Sequence, residues 1–228
     1  MTRHGAAFVS LTAILVLTRM TVGDEAPKPP AADRWEKDIT AFEDQDRKTA
    51  PQTGGNVFVG SSSVRMWKLD AGFPKHSVIN RGFGGSQLGD SVRYAERIVI
   101  PCQPRVVVVY AGDNDINSGK TPEAVFSDYR IFRDKIHAAL PETKIVFISI
   151  KPSPKRWGLR EKALEANRLI RDEIARGKGQ VFVDVWTPML GEDGMPRPEL
   201  FVKDQLHMNE TGYEIWNKLV EPHLAAAG

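Results

Sequence analysis

Three side chains of this sequence have the types and positions that acyl transfer requires. Ser62 follows a short apolar run, and Asp204 lies three residues before His207 near the end of the chain. A serine hydroxyl is a poor nucleophile until a base takes its proton, and imidazole is a suitable base because it titrates near neutral pH. A carboxylate can fix the imidazole tautomer and stabilise the imidazolium ion. We therefore predict Ser62 as nucleophile, His207 as its base and Asp204 as the residue that orients the histidine.

A second set of groups can stabilise the negative charge that develops on the substrate oxygen. Backbone N–H groups and asparagine amides are suitable donors for this oxyanion. The sequence offers the amide of Ser62, the side chain of Asn114 and the amide of Gly85, where the missing side chain allows close approach. We predict these three residues as the oxyanion hole.

Each of these motifs has another interpretation when it is considered alone. An Asp-x-x-His sequence is also typical of a helix cap followed by a surface histidine, and Asn114 resembles an ordinary turn residue. Residues 82–85, Gly-Phe-Gly-Gly, could form a phosphate-binding loop, but their spacing differs from Gly-x-Gly-x-x-Gly and they follow the second predicted strand. The order of the motifs, each after a predicted strand, is what favours acyl transfer.

Strand and helix patterns alternate along the chain and must position these residues. Strands are predicted near 57–59, 77–80, 105–111, 144–150 and 180–185, and helices at 33–48, 88–98, 121–140, 159–176 and after Asn209 or Thr211. The β-branched run within 105–111 is typical of a strand buried on both faces. This alternation predicts an α/β domain with a five-stranded, mostly parallel, flavodoxin-like sheet. Ligands bind beyond the carboxyl ends of such strands, where the serine, glycine turn, asparagine and Asp/His pair would meet.

Four segments together resemble the sequence blocks of the SGNH hydrolases, also called GDSL-type esterases. Residues 60–62, Gly-Ser-Ser, resemble the block that carries the serine nucleophile, and residues 80–85 resemble the block with the oxyanion glycine, placed at Gly85 with Gly84 as the alternative. Residues 112–115 resemble the block with the oxyanion asparagine, and residues 204–207 the block with the Asp/His pair. The resemblance looks closest to the platelet-activating-factor acetylhydrolase-like branch and implies a three-layer α/β/α sandwich.

The first block departs from the family pattern at one position. Ser61 stands where the family often has aspartate, which is not the triad acid, so the departure bears on turn geometry and not on the triad. The chain has no Gly-x-Ser-x-Gly elbow, which disfavours the α/β-hydrolase fold. Trp67 and Trp157 are candidates for pocket walls, although packing in the core is the favoured interpretation.

The amino-terminal segment is typical of an export signal. Arg3 and His4 precede an apolar run at 6–17, so we predict a signal peptide over 1–23, a proline-rich linker over 24–32 and the SGNH hydrolase domain over 33–228. The apolar run is short for a membrane anchor, which is the alternative. Removing Arg3 and Arg19 with the signal leaves equal numbers of basic and acidic residues, so charge indicates no nucleic-acid partner and no stable membrane association. The predicted location is secreted or periplasmic.

The remaining candidates for chemistry favour a reaction without a cofactor. Cys102 is the only cysteine, which excludes an internal disulfide, and its proline-flanked position favours a buried structural residue. Asp113, Asp115 and His207 form a possible but disfavoured metal set, so we predict no metal and no cofactor.

The predicted function is a serine-dependent carboxylic ester hydrolase that works through an acyl-enzyme. The family resemblance implies short acyl groups, acetyl especially, and a small ester or an acetylated carbohydrate as substrate. Acyl transfer to a sugar hydroxyl and a non-catalytic carbohydrate- or lipid-binding role are the alternatives.

Overall fold

The computed structural model describes residues 1–2 and 34–226 of the chain. Residues 3–33, which contain nearly all of the predicted signal peptide and the predicted linker, lie outside the described residues. All elements below belong to one compact unit, Arg34–Gly228. Within the described part of the chain, no helix is both long and apolar enough to cross a membrane.

Five strands and eight α-helices alternate along the described domain. In chain order they are α1 (Glu36–Lys48), β1 (Asn56–Gly60), α2 (Ser62–Arg65), α3 (Leu69–Gly72), β2 (Val78–Gly82), α4 (Leu88–Ile98), β3 (Val106–Tyr110), α5 (Asp113–Asn117), α6 (Pro122–Ala139), β4 (Lys144–Ile148), α7 (Arg160–Ile174), β5 (Gln180–Val183) and α8 (Glu210–Val220). Short 3₁₀ turns lie at Ile100–Cys102, Pro154–Leu159, Thr187–Met189, Pro198–Leu200 and Glu221–His223.

The strands form one sheet in the order β2-β1-β3-β4-β5, and every neighbouring pair is parallel. This is the flavodoxin-like order predicted from the sequence. The central strand β3 is buried at all five positions, as its run of valines indicated. Because the strands are parallel, their carboxyl ends all lie at one edge of the sheet, and polar side chains that follow them can converge there.

Hydrophobic side chains bury both faces of this sheet and produce three layers. Val107 and Val109 of β3 belong to the cluster that includes residues of α1, α4, α6 and α7. Val108 and Tyr110, which point to the opposite face, belong to the cluster that includes residues of α2, α3 and α8. Alternate residues of one strand therefore enter different cores, and the fold is the predicted α/β/α sandwich.

The sequence left the cap of the last helix open between Asn209 and Thr211. The structure shows that Asn209 is the N-cap, because its side chain accepts a hydrogen bond from the Gly212 amide at 3.2 Å. Thr211 therefore lies inside the first turn of α8. The short helices α2, α3 and α5 were not predicted. Helix α2 begins at Ser62, and α5 begins one residue before Asn114.

Candidate active site

The junction between β1 and α2 places Ser62 at the carboxyl edge of the sheet. Strand β1 ends at Gly60 with φ +141°, and a Cβ atom there would lie 1.9 Å from the carbonyl oxygen of Tyr110 on β3. Only glycine fits this close approach. The next amide, from Ser61, donates to the same Tyr110 oxygen at 3.1 Å. Ser62 then begins α2 with its side chain half-buried at the rim of the fold.

Ser62, His207 and Asp204 form a continuous hydrogen-bonded series. Ser62 Oγ lies 3.0 Å from His207 Nε2, although the two residues are 145 positions apart in the chain. His207 Nδ1 lies 2.6 Å from Asp204 Oδ2. A carboxylate can only accept, so Nδ1 carries the proton and Nε2 is left to accept the serine hydroxyl proton. The arrangement can therefore activate Ser62 for attack on an electrophilic carbon.

The loop that carries Asp204 and His207 is shaped by the same carboxylate that holds the imidazole. Asp204 Oδ1 accepts hydrogen bonds from the amides of Leu206 and His207, both at 2.9 Å, across a tight turn in which Gln205 has φ +58°. Burial raises the pKa of Asp204, but the hydrogen bonds from the His207 ring and from these amides outweigh burial and lower it to about 2. Asp204 is therefore an ionised acceptor at neutral pH.

The glycine turn after β2 faces Ser62. Gly85 has φ +76°, a left-handed conformation that glycine adopts at little cost. Trp35, just before α1, fixes the turn because its Nε1 donates to the Gly84 carbonyl oxygen at 3.0 Å and its ring packs edge-on against Phe83. Among the described residues, the amides of Ser62 and Gly85 donate to no protein acceptor. Both amides are thus open to a ligand.

Asn114, in the first turn of α5, is held in one orientation by its neighbours. Its Nδ2 donates one hydrogen bond to the Ser86 carbonyl oxygen at 2.9 Å. Its Oδ1 accepts two hydrogen bonds from Arg156, at 3.2 and 3.1 Å. Because a guanidinium can only donate, this contact fixes which end of the amide is oxygen. The second N–H of Nδ2 is then the group that Asn114 can offer to a ligand.

Arg156 belongs to a charged cluster next to Asn114 that also contains Asp113 and Lys151. Asp113 pairs with Arg156 at 2.8 Å and with the buried Lys151 at 3.2 Å, and Lys151 also lies 3.4 Å from the Tyr110 hydroxyl. Burial raises the pKa of Asp113, but the charges of Lys151 and Arg156 outweigh burial, and the net pKa is below its ordinary value. The cluster therefore keeps Asp113 ionised and Arg156 fixed against Asn114.

Asp115 connects the first residue of α4 with the residue just before α5. Its side chain is fully buried and accepts hydrogen bonds from the Leu88 amide, the Gly112 amide and Lys120 Nζ, at 3.0–3.2 Å. Burial raises the pKa of Asp115 despite these donors. Asp113 and Asp115 each face cations, and the described residues contain no group of three or more candidate metal ligands.

These residues surround an open cavity of about 360 Å³ at the carboxyl edge of the sheet. Its walls include Ser62, His207, Gly85 and Asn114, together with cationic side chains from Arg34, Arg65, Lys151 and Arg156. Neither Trp67 nor Trp157 lines this cavity. Trp67 is buried in the aromatic core with Phe58, Phe73 and Trp216, and Trp157 stacks on Trp186.

The structure brings together all five residues that the sequence singled out, namely Ser62, Gly85, Asn114, Asp204 and His207. Sequence reasoning did not identify Arg34, Arg65, Lys151 and Arg156. A signal for Lys151 was present, because residues 151–156, Lys-Pro-Ser-Pro-Lys-Arg, begin just beyond β4 and the strand-end rule applies to them as well. The positions of Arg34 and Arg65 depend on how α1 and α2 pack, which no strand-end rule predicts.

Several solved structures share this fold, and three of them are compared with the chain below. A protein designated a platelet activating factor from Streptococcus pneumoniae has a TM-score of 0.75 at 20% identity, over 82% of this chain and 91% of its own. A GDSL-like lipase from Bacteroides thetaiotaomicron has a TM-score of 0.69 at 21% identity, over 81% and 96%. An acetylxylan esterase from Geobacillus stearothermophilus has a TM-score of 0.60 at 15% identity, over 75% and 94%.

These similarities concern the fold, and the sequence itself identifies the family. None of the curated proteins matches the chain. The model of the GDSL-like lipase/acylhydrolase family matches residues 39–215, which includes all five site residues predicted from the sequence and most of the described domain. Ester hydrolysis is the general chemistry of such acylhydrolases. The chain belongs to the GDSL-like lipase/acylhydrolase family and thus to the SGNH hydrolases that its sequence blocks resemble.

Proposed function

We propose that this chain is a serine-dependent carboxylic ester hydrolase that acts on short-chain esters, acetyl esters above all. The observation that carries the proposal is the series Ser62 Oγ to His207 Nε2 at 3.0 Å and His207 Nδ1 to Asp204 Oδ2 at 2.6 Å. Nucleophile, base and orienting carboxylate are all within hydrogen-bonding distance, which is the geometry that serine acylation needs.

In the proposed mechanism, Ser62 Oγ attacks the ester carbonyl carbon while His207 Nε2 takes the hydroxyl proton. The tetrahedral intermediate collapses when His207 returns that proton to the leaving alcohol, and an acyl-enzyme remains on Ser62. Water then attacks the acyl carbon with His207 again as base, and Ser62 leaves with the proton. Asp204 keeps its charge throughout and stabilises the imidazolium ion.

Three donors are available for the oxyanion that forms in both steps. The amides of Ser62 and Gly85 have no protein acceptor among the described residues, and Asn114 has one uncommitted N–H. Preorganised donors of this kind stabilise the developing charge without a reorganisation cost. Arg156 supports this arrangement, because its two hydrogen bonds to Asn114 Oδ1 hold the amide in place and polarise it.

The acetyl preference rests on the family and on one named neighbour. The family resemblance implies short acyl groups, and the Geobacillus neighbour is an acetylxylan esterase. The open cavity beside Ser62 can accept an alcohol group larger than the acyl group. An acetylated carbohydrate is therefore the substrate class that we propose.

Hydrolysis of p-nitrophenyl acetate by serine and histidine variants tests this proposal. Ser62→Ala and His207→Ala should each lower kcat by on the order of 10³-fold or more, because triad residues act as a unit. Ser61→Ala and Ser63→Ala are matched controls, since these buried serines flank the nucleophile in the same turn. The proposal fails if Ser62→Ala keeps its activity, or if a fluorophosphonate labels the Ser62→Ala protein as well as the wild type.

A further inference from the structure

Positive charge is concentrated in the cavity beside Ser62. Four cationic side chains line it, whereas Asp113 is the only carboxylate that lines it among the described residues. The whole chain has nearly balanced charge, with 31 basic and 29 acidic residues, so this excess is local to the site. Asp113 pairs with Lys151 and Arg156. The charges of Arg34 and Arg65 remain to be explained.

Arg34 is placed against the glycine turn after β2 by its neighbour Trp35. Trp35 is anchored by its hydrogen bond to the Gly84 carbonyl oxygen, and the Arg34 guanidinium lies over the Trp35 ring at 4.4 Å. Nη2 of Arg34 is 2.7 Å from the point where a Cβ atom of Gly85 would lie. Among residues 34–226, no carboxylate forms an ion pair with Arg34.

Arg65 approaches the same turn from the other side of the nucleophile. It lies three residues after Ser62, at the end of α2, and its Nη1 is 3.0 Å from the point where a Cβ atom of Gly84 would lie. The residue is exposed, and none of the carboxylates in the described domain pairs with it. Two guanidinium groups without carboxylate partners thus border the turn that would hold the oxyanion.

We propose that Arg34 and Arg65 bind an anionic group on the alcohol part of the substrate, so that the preferred ester is an acetyl ester of a carboxylate- or sulfate-bearing alcohol. The inference rests on the proposed function. An acetyl group has no ionisable group and is therefore uncharged, so the anion must belong to the alcohol. Guanidinium groups form paired, charge-assisted hydrogen bonds with such oxyanions.

Three acetyl esters with the same aromatic frame test this inference: 3-acetoxybenzoate, 3-acetoxyphenyl sulfate and the neutral methyl 3-acetoxybenzoate. The quantity compared is the anion preference, defined as kcat/KM for an anionic ester divided by kcat/KM for the neutral ester. We expect Arg34→Gln/Arg65→Gln to lower this ratio by roughly 10-fold, which corresponds to the loss of two exposed ion pairs. The ratio should also fall with added salt in the wild type and much less in the double variant. In the wild type, the anionic ester that gives the larger ratio shows whether carboxylate or sulfate is the preferred anion.

A second double variant controls for net charge. Arg105 and Arg176 are exposed and precede β3 and β5, so they lie towards the opposite edge of the sheet. Arg105→Gln/Arg176→Gln removes the same charge and should leave the ratio unchanged. The inference is wrong if the ratio is the same in wild type and Arg34→Gln/Arg65→Gln, or if it falls equally in the control.

Failure of the proposed function would give a different result. In that case wild type and Ser62→Ala would hydrolyse each of the three esters at the same rate as one another. If only the inference fails, hydrolysis depends on Ser62 but shows no dependence on Arg34 and Arg65.

Discussion

Asp204 has two structural tasks at the scale of a single residue. One carboxylate oxygen fixes the loop through the Leu206 and His207 amides, and the other holds the imidazole at 2.6 Å. The side chain is 48% exposed, so its ionised form is stabilised by hydrogen bonds in a solvent-accessible position. This differs from a deeply buried triad acid, and it means that the charge of Asp204 needs no compensation from the core.

Replacing Asp204 with asparagine should separate its charge from its shape. We expect Asp204→Asn to lower kcat for p-nitrophenyl acetate by about 10²- to 10⁴-fold, because an amide no longer enforces the tautomer with Nδ1 protonated. The pKa of Asp204 is about 2, below its ordinary value, so its stabilising charge is present at neutral pH and is lost only as the pH falls through about 2. Asp204 should therefore be ionised at both about pH 6 and about pH 8, and the wild-type kcat should exceed the variant kcat at both pH values.

Asp193→Asn is the matched control for this measurement. Asp193 is an exposed aspartate whose Oδ1 accepts a hydrogen bond from a nearby amide, that of Met195 at 3.0 Å. Its substitution should leave kcat unchanged. A variant kcat equal to that of the wild type at both pH values would show that the charge of Asp204 contributes nothing to catalysis, contrary to the expectation.

At the scale of elements, the sequence predicted the strand ends well and the short helices poorly. The β-branched run of β3 and the glycine that ends β1 carry local signals, which is why Ser62 and Asn114 could be placed at one edge. Helices α2 and α5 have only four and five residues, too few for a periodic pattern to appear. Asn209 and Thr211 are both good cap residues, and the choice between them depends on tertiary contacts, including the bonds from Asn209 Nδ2 to the Glu199 and Phe201 carbonyl oxygens.

The sequence singled out Asp115 only as a disfavoured metal ligand, yet its side chain connects α4 and α5. It accepts hydrogen bonds from the Leu88 and Gly112 amides and from Lys120. Without Asp115 the two amides would lose their acceptor, whereas Lys120 would keep its contact with Asp128. We expect Asp115→Ala to lower the free energy of unfolding by about 3 kcal/mol or more, measured by urea denaturation. Because burial raises the pKa of Asp115 and so favours an uncharged side chain, Asp115→Asn should cost less than Asp115→Ala.

Asp128 provides the control for the loss of the lysine contact alone. It also pairs with Lys120, at 2.8 Å, but its side chain is partly exposed. Asp128→Ala should therefore cost about 1 kcal/mol or less. Equal costs for Asp115→Ala and Asp128→Ala would mean that the two amide hydrogen bonds contribute nothing to stability.

At the scale of the whole molecule, α1 must be attached to the sheet because Trp35, just before it, fixes the glycine turn after β2. One attachment is buried: Arg81 of β2 pairs with Asp46 of α1 at 2.5 Å, and its Nε donates to the Ile98 carbonyl oxygen at 3.1 Å. The other lies towards solvent, where Arg97 of α4 pairs with Glu36 and Glu43 of α1, both at 2.7 Å. The two attachments hold the same helix with similar chemistry but in different environments.

Burial should decide which attachment stabilises the fold. Arg81→Met leaves the partly buried Asp46 carboxylate without its partner, so we expect the free energy of unfolding to fall by about 3–5 kcal/mol in urea. Arg97→Met removes more hydrogen bonds, but the Arg97 side chain is 35% exposed, so water replaces them and the cost should be about 1 kcal/mol or less. If Arg97→Met is the more destabilising change, the number of ion pairs outweighs their burial. In that case α1, and with it Trp35 and the glycine turn after β2, is held mainly from the surface of the molecule.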